Sequence, residues 1–318
     1  MSAVSVPASK PLDPTKFRDA LITGKGERRA HVALKRLETL WINTGTLCNL
    51  TCRNCYIESS PKNDRLVYVT AAEVASYLDE IEHEGLGTEL IGFTGGEPFM
   101  NSELPSMLHD VLSRGLSALV LTNAMKPMHK LKDQLLALRG YGERLTIRVS
   151  VDHYGRALHE LERGGRTWAP TIDGLLWLMA QGFSVNVAGR LFSGEPEATV
   201  RAGYARLFAE LGLALDAHDP VSLVLFPEMD ATVDVPEITE ACWGILGKSP
   251  DSVMCATARM VVKRKGAERP AVVACTLLPY DPQFELGATL REAQGGVPLN
   301  HPHCAKFCVL GGAACSRG

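Results

Sequence analysis

The chain contains no apolar run of about 18 residues, the length a helix needs to cross a bilayer. It also lacks a basic block. Its 33 Lys and Arg nearly balance 36 Asp and Glu, for a formal net charge of −3. Without a Lys/Arg run interleaved with aromatics, nothing carries the electrostatic footprint of a nucleic-acid binder. The basic stretch 263–265 is short and reads as a solvated hairpin. Residues 1–14 lack the basic-then-apolar layout of a secretory signal. Cysteine, by contrast, is plentiful, with nine in 318 residues. Without a secretory signal these cysteines are expected in a reducing cytoplasm, where close spacing points to metal binding or catalysis rather than disulfides. The remaining composition, 46% hydrophobic and 22% charged, suits a globular enzyme.

Apolar patterning predicts alternating strands and helices. Residues 1–36, rich in Pro, Ser, Lys and Arg near the start, read as a lightly docked leader. Strands are expected at 39–43, 90–93, 117–121, 145–151, 183–188 and 221–226. A capping box, Thr70 with Glu73, opens a helix closed by Gly85, and further helices are expected at 103–114, 130–139, 171–181, 198–210 and 238–246. Six strands each trailed by a helix imply a parallel sheet, most naturally a partial (β/α)6 barrel over residues 37–250. A flat doubly wound sheet shares the same pattern. Alternation in 260–263 and 271–274 suggests a hairpin. Residues 251–318, with five cysteines, read as a small hairpin-plus-helix module.

Cys48, Cys52 and Cys55 lie within eight residues, directly after the first strand. Three thiolates on a four-iron cluster leave one iron open to a small molecule. The same spacing could mark a stripe of buried cysteines on a helix, but Thr44, Gly45, Thr46, Asn49 and Thr51 continue no apolar face. A zinc site would take four ligands, commonly as paired Cys-x₂-Cys knuckles, and no fourth Cys or His is near. After the second strand comes Gly95-Gly96-Glu97-Pro98, a turn suited to holding an amine beside that open iron.

Cys48-x₃-Cys52-x₂-Cys55 with Gly95–Pro98, in a six-strand β/α order, resembles the radical S-adenosylmethionine (SAM) superfamily. The resemblance covers roughly residues 37–226. It implies a [4Fe–4S] cluster on the three cysteines, with the amino and carboxylate groups of SAM on the fourth iron. Reductive cleavage of SAM would then give a 5′-deoxyadenosyl radical that abstracts hydrogen from substrate. By the same resemblance Gly95, Gly96, Glu97 and Pro98 form the turn at the SAM amino group. Asn123, Ser150 and Asp152 would contact ribose or carboxylate, and Arg190 the carboxylate. Many members place an aromatic just before the third cysteine. Here Asn54 holds that place, and Tyr56 is the candidate substitute against adenine.

The C-terminal cysteines resemble the SPASM/twitch extension of such enzymes, implying one auxiliary [4Fe–4S] cluster. Cys255, Cys275, Cys304 and Cys308 are the preferred ligands, with Cys315 competing for the last place. A zinc ribbon or free cysteines are the alternatives, and Cys242 reads as core. The reaction expected is oxidation or cross-linking of a small molecule or a short peptide segment, because the leader leaves little room for a peptide-recognition domain. His153, Tyr154, His218, Asp219 and Glu228 are candidates to line the substrate pocket. An external one-electron donor such as flavodoxin or ferredoxin is implied. The rival readings are a peptide-modifying maturase and an iron–sulfur electron carrier or redox sensor.

Overall fold

A computed structural model describes residues 10–312. Every residue of β1 (Thr39–Asn43) is buried, as in a strand covered on both faces. The chain then alternates through α1 (Ala71–Glu84), β2 (Leu90–Thr94), α2 (Leu104–Ser113), β3 (Ser117–Thr122), α3 (Lys126–Lys130), α4 (Lys132–Ala137), β4 (Leu145–Ser150), α5 (Arg156–Arg163), α6 (Trp168–Ala180), β5 (Ser184–Leu191), α7 (Glu197–Glu210), β6 (Leu223–Pro227) and α8 (Cys242–Leu246). Strands β1 to β6 pair in chain order and all run parallel, forming a partial (β/α)6 barrel. The capping box forms as expected. The Thr70 hydroxyl accepts from Glu73 N–H, the Glu73 carboxylate accepts from Thr70 N–H, and Gly85 closes α1 at φ 60°.

The period-2 alternation of the strands separates two cores. Leu40, Ile42, Phe93, Val120 and Ile147 face the helices. Trp41, Leu119 and Phe226 face the other way, where the C-terminal residues cover them. Gly92 is required here, because a Cβ at that position would lie 2.4 Å from the Trp41 ring.

The expected hairpin is β7 (Ala258–Val262) with β8 (Ala271–Val273), followed by β9 (Glu285–Gly287). Beyond that expectation, β7 also pairs in parallel with β1, so the cysteine-rich segment continues the main sheet. Residues Cys304–Leu310 form a wide π-helix.

Four local expectations are corrected. The helix expected at 130–139 is two short ones, α3 and α4, because Leu131 (φ −109°, ψ 20°) leaves helical geometry between them. Helix α5 went unforeseen because its sequence, bounded by Gly155 and Gly164, is half charged. The helix expected at 238–246 starts only at Cys242, because Thr239 bridges to Arg29 of the N-terminal segment. The helical segment expected after Gly287 is a single turn, Glu292–Gln294, stopped by Gly295. Among the described residues no helix is long and apolar enough to cross a membrane.

Candidate functional site

A cleft opens where the parallel strands end. Its floor is the cysteine loop that follows β1. Backbone bonds join that loop to the glycine turn after β2: Gly96 N–H donates to Gly45 O (2.8 Å) and Glu97 N–H to Leu47 O (3.1 Å). Only glycine permits this approach. A Cβ on Gly95 (φ +132°) would meet Gly45 O at 2.5 Å, and one on Gly96 would meet Leu47 O at 2.1 Å. The two motifs, forty residues apart in sequence, are therefore one structural unit.

Cys48, Cys52 and Cys55 all line the cleft and are mutual electrostatic neighbours. Backbone donors aim at two of the sulfurs, Leu50 N–H at Cys48 Sγ (3.4 Å) and Ser59 N–H at Cys55 Sγ (3.3 Å). Burial pushes the Cys48 thiol up to about 12 and raises that of Cys52. Thiolates here require a cationic partner, which iron would supply. Among the described residues no three His, Cys, Asp or Glu side chains converge on a single-ion site.

Gly95, Gly96, Asn123, Ser150, Asp152, Arg190 and Tyr56 all line the same cleft. The Glu97 carboxylate does not. It is buried beneath the turn and accepts from Thr122 Oγ1 (2.7 Å), Asn123 N–H (2.8 Å) and Phe99 N–H (3.2 Å). Burial raises its pKa against the opposing pull of those bonds. Glu97 thus ties the ends of β2 and β3 together, with Pro98 starting the short turn beside it. Asn123 Nδ2 in turn donates to Asn49 Oδ1 (2.9 Å) in the cysteine loop.

The unforeseen α5 brings charge to the cleft. Arg163, at its last turn, lines the cleft, donates Nη2–H to Asp152 Oδ1 (3.0 Å) and pairs ionically with Oδ2 through Nε (3.0 Å). Its guanidinium is an electrostatic neighbour of Cys52. Arg190 is held by Glu162 (3.0 Å) and Glu228 (2.7 Å) and sits 5.5 Å from the Tyr56 ring centre. Its buried Nε has no hydrogen-bond partner among the described residues, a donor left over for an anionic group. Asn54 Nδ2 donates to Glu162 Oε2 (3.2 Å), so it joins the cysteine loop to α5. No spacing in the sequence marked Arg163 or Glu162. Only the tertiary contact of α5 with the cysteine loop identifies them.

Of the other pocket candidates, Glu228 lines a neighbouring groove, while His153 and Tyr154 both bond to Glu195 (2.9 and 2.6 Å) outside the cleft. His218 and Asp219 precede β6, at its opposite end. Asp219 accepts from Val221 and Ser222 N–H as an ordinary turn residue.

At the C-terminal end, Cys255, Cys275 and Cys304 are mutual electrostatic neighbours, and Cys308 packs on the same core. Burial pushes the Cys255 thiol up to about 12 and that of Cys304 well above its usual value. Cys315 lies outside the described residues. Cys242 bonds Thr239 and packs against the core. The C-terminal segment also reaches the cleft. Thr276 and Leu277, next to Cys275, line it, and Phe307 stacks on its wall residue Phe226 (5.8 Å).

Residues 42–202, just over half of the chain, match the family described as the Radical SAM superfamily. The antilisterial bacteriocin subtilosin biosynthesis protein AlbA of Bacillus subtilis (strain 168) is 30% identical over 146 residues, 46% of this chain and 31% of AlbA. Streptococcus suis SuiB bound to S-adenosylmethionine superposes with a TM-score of 0.57 at 13% identity, over 79% of this chain and 63% of SuiB. The structure of anSMEcpe with bound AdoMet and Kp18Cys peptide superposes at 0.56 and 15% identity, over 84% of this chain and 82% of that one. The chain thus spans about a third of AlbA and under two thirds of SuiB.

Proposed function

Because the chain belongs to the radical SAM superfamily, we propose that it reductively cleaves SAM and that the resulting 5′-deoxyadenosyl radical takes hydrogen from a peptide substrate. The cluster would supply the electron and SAM the radical; the protein's part is to bind, orient and shield. The observation that carries this reading is the backbone junction of the Gly95–Gly96 turn with the cysteine loop. Cys48, Cys52 and Cys55 would hold the cluster. Gly95 and Gly96 present bare backbone to the SAM amino group, and Glu97 and Pro98 brace that turn. Asn123 and Ser150 offer polar contacts to ribose, and Tyr56 offers a ring to adenine. The Asp152–Arg163 pair and Arg190 give both signs of charge to the zwitterionic methionyl end. Cys255, Cys275, Cys304 and Cys308 would hold the auxiliary cluster, with Cys315 as the competitor.

A peptide is favoured over a small metabolite. A groove of about 900 Å³ adjoins the cleft, sharing Asn54, Cys55 and Tyr56, and exposes Leu161 beside Phe192 and Met229. It could hold an extended segment. SuiB has been solved with its precursor peptide SuiA and anSMEcpe with a peptide, which agrees. A flavodoxin- or ferredoxin-type donor in a reducing cytoplasm would complete the system. An electron carrier is disfavoured, because it needs neither a bare glycine turn nor a charged cleft. The test is to incubate the anaerobically reconstituted enzyme with dithionite, SAM and deuterated candidate peptides. Deuterium should appear in 5′-deoxyadenosine. Absence of 5′-deoxyadenosine would end the enzyme reading; deuterium transfer from metabolites but from no peptide would end the peptide reading alone.

A further inference from the structure

Arg259 is 1% exposed, yet no described carboxylate pairs with it. Its guanidinium is satisfied by main-chain carbonyls alone. Nη1 donates to Cys255 O (2.6 Å) and Ala258 O (2.8 Å), Nε to Ala293 O (2.8 Å), and Nη2 to Gly295 O (3.0 Å). Carbonyls satisfy its donors but carry no net charge. A buried cation without a counter-charge is costly, and proteins rarely tolerate one. Another large buried arginine that bonds carbonyls, Arg29, also has a carboxylate partner in Glu237 (2.6 Å). Among the described residues no carboxylate lines the surface groove beside Arg259; Lys35 and Arg36 do, with the same sign of charge. The groups beside it that would become anionic are the sulfurs of Cys255 and Cys275, once they ligate a cluster.

We propose that Arg259 is the built-in counter-charge of the auxiliary cluster and holds its reduction potential up. This rests on the reading that Cys255, Cys275 and Cys304 ligate that cluster. A four-iron cluster held by thiolates is anionic and becomes more so on reduction by one electron. A fixed cation bonded to the carbonyl of one ligand residue therefore favours the reduced form. Arg259 is a positioning and tuning residue. It touches neither SAM nor substrate.

The experiment is a dithionite titration of the reconstituted holoenzyme, followed by electron paramagnetic resonance at both clusters, for the unchanged protein, Arg259→Gln and Arg259→Lys. Arg259→Gln should make reduction of the auxiliary cluster at least tenfold less favourable, about 59 mV lower for one electron. Arg259→Lys should stay near the unchanged value, and the SAM-site cluster should not move in either variant. Should Arg259→Gln fold poorly, Arg259→Met read against Arg259→Lys makes the same comparison of charge. An auxiliary potential equal in the neutral and lysine variants, with about eight irons per chain, would overturn the proposal alone. About four irons in the unchanged protein would overturn the ligand assignment and the proposal together.

Discussion

The charge state of the cleft depends on a few buried side chains. Asp152 and Arg163 are each nearly out of solvent, so removing one strands the other. Asp152→Asn keeps the shape but deletes the charge. We expect it to destabilise the protein by about 3 kcal/mol, and the Asp152→Asn/Arg163→Met double variant to lose less than the sum of the singles. Urea midpoints for the four proteins check this; additive losses would mean the pair is not coupled. One helical turn before Arg163, His159 is fully buried with neither ring nitrogen hydrogen-bonded among the described residues, and burial lowers its pKa to about 4. A group whose native pKa is depressed gives stability that is complete above its unfolded value near 6.5 and is lost as pH falls toward 4. Each proton taken up on unfolding costs at most about 1.4 kcal/mol per pH unit in that window. His159→Phe, which cannot titrate, should flatten the stability profile between those limits. A profile as steep as the unchanged protein's would place the titration elsewhere.

Helix α6 bears on the cleft through one position. Gly174 lets it press against the Asn123–Met125 turn, where a Cβ would lie 1.9 Å from Ala124 O. Gly174→Ala should destabilise the fold by about 1–3 kcal/mol and lower 5′-deoxyadenosine yield, because Asn123 moves with the turn. Normal stability and yield would show that the helix shifts freely. Such contacts also explain what could be read beforehand. The six strands, α1 with its capping box and the two cysteine motifs follow from short-range spacing, and the structure holds them close to where the sequence puts them. Helix α5 turns its apolar residues away from the core, since it buries His159 and Glu162 and leaves Leu161 exposed. Arg163 in the cleft and Glu162 in the groove beside it were therefore invisible. Glu97 was visible as a residue but not as a brace, because two of its three donors, Thr122 and Asn123, lie at the end of β3, which only the fold brings beside it.

At the scale of the molecule, both cysteine sets hang from one sheet. β1 runs into the Cys48 loop, while β7, paired along β1, starts just after Cys255, and Cys275 follows β8. A parallel partner on the free edge of β1 was not legible, since period-2 alternation gives a strand but not its neighbour. The C-terminal segment then fills the sheet face opposite the helices, bringing Phe307, between Cys304 and Cys308, against Phe226 and the edge of Tyr56 (6.5 Å). The two proposed centres would therefore share a wall yet hold separate ligands. Cys304→Ala should reduce iron from about eight to about four per chain while uncoupled SAM cleavage continues and product formation stops. Cys52→Ala should abolish cleavage and leave the auxiliary signal. Iron analysis, 5′-deoxyadenosine yield and product assay on both variants separate these outcomes. If Cys304→Ala abolished cleavage as completely as Cys52→Ala, the shared wall would be carrying the cleft's own fold, and the two centres would form one functional unit.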